Sequence, residues 1–173
     1  SVAEGVGVTL ADYTVVDGLI FTGFGDGAVM AKNVTGAVVR NCVMHGNGYA
    51  VSFAGGKDCV LQNNRVWGNI PEYNEGAQIF ITGSPAADGF LVENNIAHDS
   101  PLIGIRFYAG EAKNCLTRGT LTYRNVLGGF FYKVNRGESV PDGLVGERNV
   151  SFGNSNFDFG APFGGFNTYG SEA

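Results

Sequence analysis

The sequence predicts an all-β fold, a parallel β-helix (solenoid) of about six coils in a single domain of residues 1–173. Two columns of apolar residues, each recurring every 22–30 residues, carry this prediction. One column is Val43, Val66, Ile96, Val126 and Val150, and the other is Val29, Val51, Ile79, Ile105, Phe131 and Phe157. No segment between them has a helical period, and 28 glycines indicate a chain rich in turns.

One complete unit of the repeat lies in residues 76–107. A short apolar strand at 78–81 is followed by a turn of small residues and by a second strand at 90–92. The chain breaks at Asn94 and Asn95, resumes at Ile96 and returns through a polar turn at 98–101. Asn suits these bends because it tolerates a left-handed backbone. We also expect each Asn amide to bond the equivalent amide one coil away.

The two ends of the chain depart from the repeat. Residues 1–13 are predicted to form an incomplete first coil, and residues 160–173 an off-repeat tail that covers the last coil or reaches a neighbouring molecule. No amphipathic capping helix is visible at the first coil. Uncovered strand edges template further pairing, so self-association through the coil ends is expected.

Composition limits the class of partner. A net charge of −5 argues against nucleic acid and against an anionic membrane as the main partner, because both attract a basic face. No apolar run approaches the length of a membrane span. The chain begins at Ser1 without a signal sequence, so either a leader has been removed or the chain is part of a longer one. We expect it to be secreted or at the cell surface.

Cysteine and histidine are interpreted as structural. The chain has an odd number of cysteines, and they occupy different columns: Cys42, Cys59 and Cys115. This favours small buried apolar side chains, and the alternative is a single disulfide between two of them. His45 and His98 share a column two coils apart, with Gly68 between them. At strand spacing they lie about 10 Å apart, too far to share one metal ion. Each is expected to cap a turn.

Irregular segments predict where the functional site lies. Residues 69–75 form an insertion before one strand, and residues 84–88, 108–113 and 134–142 form insertions after three successive strands of the same ladder. Loops on both sides of one ladder would wall a groove along that face. Loop variation on a rigid scaffold is where function is usually located.

Strand alternation predicts which side chains face this groove. The outward columns are Met30, Ser52, Phe80, Arg106, Tyr132 and Asp158, and Ala28, Ala50, Gln78, Gly104, Phe130 and Asn156. Aromatic rings stack on the apolar faces of sugars, while polar side chains bind hydroxyls and acids. The predicted partner is therefore a polysaccharide, and the alternative is that the inserted loops cover the aromatic rings. The substrate-binding candidates are Gln78, Phe80, Phe130, Tyr132, Asp158 and, from the insertion, Glu75.

The N-N-x-V and H-G-N-G elements, at residues 63–66 and 45–48, resemble those of right-handed parallel β-helix proteins of the pectate-lyase-like superfamily. The resemblance covers residues 14–160 and implies the right-handed form of the fold. The superfamily includes lyases, hydrolases, epimerases, phage tailspikes and non-catalytic modules, so a shared fold does not define the activity.

The resemblance also implies candidate chemistry. Lyases of this superfamily remove the C5 proton of a uronate with Lys or Arg, which makes Arg106 and Lys133 the catalytic candidates. Glu75, Asp88 and Glu111 are carboxylates for a Ca²⁺ ion or for acid–base hydrolysis. The D-P-H motif of alginate epimerases and the N-T-D, D-D and G-H-G motifs of polygalacturonases are absent.

Two hypotheses from different classes follow. In the first, the chain is a carbohydrate-active domain, lyase- or epimerase-like, that binds or processes a polysaccharide along the walled face. In the second, it is a non-catalytic structural module that assembles end to end or within a larger surface or fibre protein.

Overall fold

The computed structural model describes residues 5–71, 76–108, 112–133, 143–155, 159–160 and 168–169. Within these ranges the chain forms twenty short strands in three parallel sheets and no helix. No helix of the described chain therefore has the length and apolar character that crossing a bilayer requires.

The strands of each sheet follow one another at every third position along the chain. Sheet 1 contains β1 (Val6–Thr9), β4 (Gly27–Thr35), β7 (Tyr49–Lys57), β10 (Ala77–Asp88), β13 (Ile103–Tyr108), β16 (Gly128–Lys133) and β19 (Phe159–Gly160). Sheet 2 contains β2 (Val15–Asp17), β5 (Val38–Arg40), β8 (Val60–Gln62), β11 (Leu91–Glu93), β14 (Cys115–Arg118), β17 (Leu144–Glu147) and β20 (Thr168–Tyr169). Sheet 3 contains β3 (Ile20–Thr22), β6 (Val43–His45), β9 (Arg65–Trp67), β12 (Ile96–His98), β15 (Leu121–Tyr123) and β18 (Val150–Phe152).

Each coil contributes one strand to each sheet, which confirms the predicted all-β parallel β-helix of about six coils. The first coil contains β1, β2 and β3, and the sixth contains β16, β17 and β18. Gly160 of β19 and strand β20 lie in the segment predicted to be an off-repeat tail, and these two strands pair with β16 and β17. The core is the column of apolar side chains between the three sheets.

Three residues per coil turn the chain with a left-handed backbone, at φ between 50° and 87°. The first corner is Tyr13, Gly36, Asp58, Gly89, Asn114 and Gly143; the second is Gly18, Asn41, Asn63, Asn94, Gly119 and Arg148; the third is Gly23, Gly46, Gly68, Asp99, Arg124 and Gly153. In every coil the second corner comes five residues after the first, and the third five residues after the second. All variation in coil length therefore lies on the side of sheet 1.

The residue after a second or third corner points into the interior, where Asn side chains form ladders. The Asn95 Oδ1 atom accepts hydrogen bonds from the backbone N–H and from the Nδ2 atom of Asn64, both at 3.0 Å. The Asn64 Nδ2 atom also donates to the backbone oxygen of Val39 at 2.9 Å. Asn47 and Asn69 repeat this pattern. The predicted bonding of Asn amides between coils is confirmed, and it satisfies backbone groups that the bends would leave buried without partners.

Gln78 completes one of these ladders and does not face a groove. In the fourth coil the ladder position is Ser100, which carries no amide. The Gln78 Oε1 atom accepts from Asn69, and its Nε2 atom donates to the backbone oxygen of His98 at 3.0 Å and to Asn125 at 3.3 Å. Its side chain is fully buried. The predicted outward orientation of Gln78 is wrong, because residues 78 and 79 are both fully buried.

Phe130 and Tyr132 were also predicted to face outward, and both are buried in the core. Ile105 pairs with Phe130 and not with Phe131, because the step between these coils is 25 residues. A shift of one residue exchanges the two faces of a strand. The Tyr132 ring stacks on Phe107 with centroids 5.6 Å apart, and its hydroxyl lies 2.7 Å from that of Thr117. Burial raises the pKa of this phenol.

The other apolar column needs a similar correction. Val43, Ile96 and Val150 share a row of sheet 3, but its remaining members are Arg65 and Leu121 and not Val66 and Val126.

The insertion predicted at 84–88 belongs to β10, whose register with β7 shifts between Thr82 and Ala87.

The prediction that the cysteines are small buried hydrophobes is confirmed, although Cys59 and Cys115 share a column because each follows a first corner. Cys42, Cys59 and Cys115 are free and buried. Each thiol lies near backbone oxygens of its own and the preceding coil; the Cys59 sulfur, for example, is 3.4 Å from the oxygen of Val34. Burial raises the pKa of all three thiols, that of Cys115 to about 11, so they remain protonated and act as small apolar side chains.

The ladder role of Gln78 predicts a stability cost on removal of its amide. Gln78→Met keeps the size of the side chain but removes the acceptor of one Asn69 Nδ2 hydrogen and the amide donor to the backbone oxygen of His98. We expect the free energy of unfolding to fall by about 2–4 kcal/mol, since each unsatisfied buried polar group costs about 1–3 kcal/mol. Urea denaturation measures it. Gln62→Met is the matched control, because the Gln62 amide bonds Glu93 on the outer face and should cost less than about 1 kcal/mol. Equal losses in the two variants would contradict the ladder role.

Candidate functional site

The outward side of sheet 1 carries a stack of rings around one guanidinium. Phe80, Arg106 and Phe131 are paired neighbours on β10, β13 and β16. The Arg106 guanidinium carbon lies 5.4 Å from the centroid of the Phe80 ring and 5.5 Å from that of Phe131. Phe80 also stacks on Tyr49, with centroids 5.8 Å apart and ring planes 16° apart. The prediction that Phe80 and Arg106 share this face is confirmed. Phe131, which the sequence analysis placed inside, replaces Tyr132 in the row.

The position of Arg106 suits a delocalised cation. A planar guanidinium is weakly hydrated and is attracted to the negative face of an aromatic ring. Only 3% of Arg106 is exposed, while Tyr49, Phe80 and Phe131 are half-buried. The positive charge is thus held in place just behind an accessible aromatic surface, which we call the aromatic–arginine row.

A second row runs beside it, two residues further along the same strands. Its members are Lys32, Ala54, Thr82, Tyr108 and Lys133. Lys133 pairs with Tyr108, so it lies one coil from Arg106 in the row beside the aromatic–arginine row. Lys32, which is exposed, was missed by the sequence analysis, although alternation from Met30 would have found it. Neither row contains Asp or Glu within the described residues.

The remaining predicted site residues are not brought into this arrangement. Glu75, Glu111 and Asp158 lie outside the described residues, and of Lys133 only the backbone is described. The Asp88 carboxylate accepts a hydrogen bond from Asn114 at 2.8 Å, at a first corner. No group of three His, Cys, Asp or Glu side chains within the described ranges has the geometry of a metal site. Of the three carboxylates proposed for Ca²⁺, only Asp88 lies within the described residues, and it is bonded to Asn114.

The arrangement limits the chemistry of Arg106. A planar guanidinium binds a carboxylate through two parallel N–H groups and is attracted to the faces of aromatic rings. Arg106 is therefore suited to neutralise an acidic group. Of the predicted catalytic pair, only Lys133 has a side chain that deprotonates readily once its charged form is disfavoured.

A different ring stack occupies the outer side of sheet 3. It contains His45, Trp67, His98, Tyr123 and Phe152, with successive centroids 4.6, 5.6, 4.7 and 5.5 Å apart. The two histidines share a column as predicted, but Trp67 and not Gly68 lies between them, and they stack in this ladder rather than cap turns. Because the ring faces cover one another, mainly ring edges point outward. This stack is therefore a poor platform for sugar rings.

The outer side of sheet 2 carries ion pairs. Arg118 binds Glu93 at 2.5 Å, and Arg40 binds Asp17 at 2.8 Å. A notch of about 230 Å³ lies beside the second corner, where Gly119 has no side chain between Asn94 and Arg148. Its charges of both signs are partly paired and partly exposed, which is typical of a solvated face.

Comparison with known proteins addresses the family. A family model described as a right-handed beta helix region matches residues 1–157. No curated protein and no solved structure matches the chain. The match extends over most of the chain and agrees with the three parallel sheets and their repeated register. The chain therefore belongs to the right-handed β-helix family.

Proposed function

We propose that this chain is a β-helix module that binds an acidic polysaccharide along the outward side of sheet 1. The observation that carries the proposal is the Arg106 guanidinium held between the rings of Phe80 and Phe131. This combination supplies the two contacts that an acidic sugar chain needs, an apolar surface for the ring face and a fixed positive charge for the carboxylate.

The distribution of charge supports an anionic ligand. The whole chain has a net charge of −5, yet the two rows on this face contain Lys32, Arg106 and Lys133 and no acidic residue within the described ranges. A local positive surface on an acidic protein attracts anions to one face and repels them from the others. Binding should weaken as salt is added, because exposed charges are screened within about 10 Å at 0.1 M salt.

The repeat supports an extended ligand. Equivalent side chains lie about 4.8 Å apart along the solenoid, so contacts recur in the direction perpendicular to the strands. A linear polymer laid along this direction meets Tyr49, Phe80, Arg106 and Phe131 in succession. A lyase- or epimerase-like reaction on such a polymer is the finer proposal, with Arg106 neutralising the uronate carboxylate and Lys133 as the candidate base. A secreted or cell-surface location, where such polymers occur, is part of the same proposal.

A second candidate function, self-association, is favoured by the end of the first coil. Within the described residues, β1, β2 and β3 each pair with a strand on one side only. Ile20 is 72% exposed, whereas its row neighbour Val43 is half-buried, and Val15 is exposed in the same way on sheet 2. Strands β1 and β3 contain no charged residue, and apolar edge strands of this kind template pairing with another chain.

Binding is tested with a linear polyuronate and the same polymer with its carboxyls esterified. Arg106→Gln should weaken binding of the acidic polymer about tenfold or more, since a hydrogen bond to a charged group contributes about 1.5–3 kcal/mol. Lys32→Gln, at an exposed position, should weaken it about two- to fivefold. Isothermal titration calorimetry measures both affinities, and ultraviolet absorbance of an unsaturated product detects β-elimination.

Arg118→Gln is the matched control, because it makes the same change of charge on sheet 2 and should alter affinity less than about twofold. The thermal midpoint of unfolding shows whether the Arg106 variant is folded. If that variant does not fold, Lys32→Gln still tests whether positive charge on this face contributes to binding. Equal weakening by the Arg118 change, or equal binding of the esterified polymer, would overturn the proposal.

Self-association is tested by replacing Ile20 with Lys. A charge at this edge should lower the association constant about tenfold or more, because edge charges oppose strand pairing. Sedimentation velocity over a range of protein concentrations provides the measurement. Ile70→Lys is the control, since Ile70 is 67% exposed but lies away from the first coil. A strict monomer at every concentration of the unchanged chain would rule out this candidate.

A further inference from the structure

The only tryptophan of the chain lies between its only two histidines. His45, Trp67 and His98 end the strands β6, β9 and β12, and the parallel register places them directly above one another. His98 is 4% exposed and is also stacked on Tyr123, with ring planes 2° apart. One buried imidazole is therefore enclosed between two larger aromatic rings.

The hydrogen-bond partners of His98 define its protonation state. The Arg65 Nε–H group donates to the His98 Nε2 atom at 3.2 Å, and arginine has no acceptor, so Nε2 carries a lone pair. The Nδ1 atom lies 2.6 Å from Asp99 Oδ2. Two hydrogen bonds of 2.7 Å from Arg124 hold the pKa of Asp99 well below its usual range, so this carboxylate is an acceptor. This bonding pattern places a ring proton of His98 on Nδ1 and leaves Nε2 as an acceptor.

We propose that His98 is a proton-controlled latch for Arg65. In the neutral state the lone pair of Nε2 holds the exposed Arg65 side chain, whose guanidinium carbon lies 5.1 Å from the centroid of the Trp67 ring. A proton taken from solvent by Nε2 removes that acceptor and places a like charge beside the guanidinium. Arg65 then leaves the face of Trp67 for solvent, while His98 keeps its bond to Asp99.

Every charged group around His98 acts on this equilibrium. Asp99 and the electron-rich faces of Trp67 and Tyr123 favour the imidazolium. Arg65, Arg124 and burial of the ring oppose it. Gln78 contacts His98 at its backbone oxygen and not at the imidazole ring. On protonation, the outer side of sheet 3 gains the charge of His98 and a mobile Arg65, so this face becomes more positive in acid.

Trp67 makes the latch measurable, because fluorescence of the single tryptophan reports on this stack alone. We expect a step in emission between about pH 5 and 8, the range in which histidine changes charge. His98→Phe keeps a ring in the stack and should abolish the step. His45→Phe is the matched control on the opposite face of Trp67 and should keep it. Arg65→Gln should raise the midpoint by about one pH unit, because it removes the like charge that opposes protonation.

A second measurement needs no variant. Nitrogen NMR of the two imidazole rings distinguishes Nδ1–H from Nε2–H and follows each histidine through the same titration. The expected result is an Nδ1–H tautomer for His98 at high pH, with protonation at Nε2 coincident with the fluorescence step. An Nε2–H tautomer, a step that survives in His98→Phe, or an unmoved midpoint in Arg65→Gln would overturn the proposal.

Discussion

The left-handed corner that recurs every five residues on two sides of the coil is the constraint on which this structure depends. It is kept even where the residue is not glycine or asparagine, as at Tyr13, Arg124 and Arg148. A left-handed conformation costs such a residue about 1–2 kcal/mol, which the paired strands and ladders on either side must offset. The corners fix which residues point inward, and each ladder of Asn amides then follows from the residue that comes next.

This constraint divides the molecule into two constant sides and one variable side. Sheets 2 and 3 are built from short steps of constant length, so their outer rows align from coil to coil into ion pairs and stacked rings. Sheet 1 absorbs all differences in coil length, as the long strand β10 with its shifted register demonstrates. The proposed glycan face lies on this side, where residues can be added without disturbing the corners. The proposed latch lies on a constant side, where the register holds His98 directly on Trp67.

The sequence predicted the fold from its repeat, because periodic apolar residues and Asn at the bends have a direct structural cause. Phe80 and Arg106 were predicted together for the same reason, since alternation is reliable near an aligned strand. Phe130 and Tyr132 were placed on the wrong face because the alignment matched Ile105 with Phe131, one residue beyond its true partner Phe130. Gln78 was misplaced because it supplies the amide that Ser100 lacks in the ladder. These two positions are 22 residues apart, so alternation within one strand could not predict their relation. The ring stack on sheet 3 was missed because the sequence analysis did not find the constant five-residue spacing between corners. That spacing aligns Trp67 with both histidines.

The most direct test of the corner rule is to insert one glycine at two places and compare the free energies of unfolding by urea denaturation. An insertion after Val92, within β11, shifts Asn95 out of its ladder and should cost about 3 kcal/mol or more. An insertion between Tyr108 and Ala112, on the variable side, leaves every five-residue spacing between corners unchanged and should cost less than about 1 kcal/mol. Similar costs at the two places would contradict the account, because the side of sheet 2 would then tolerate an added residue as well as the side of sheet 1 does.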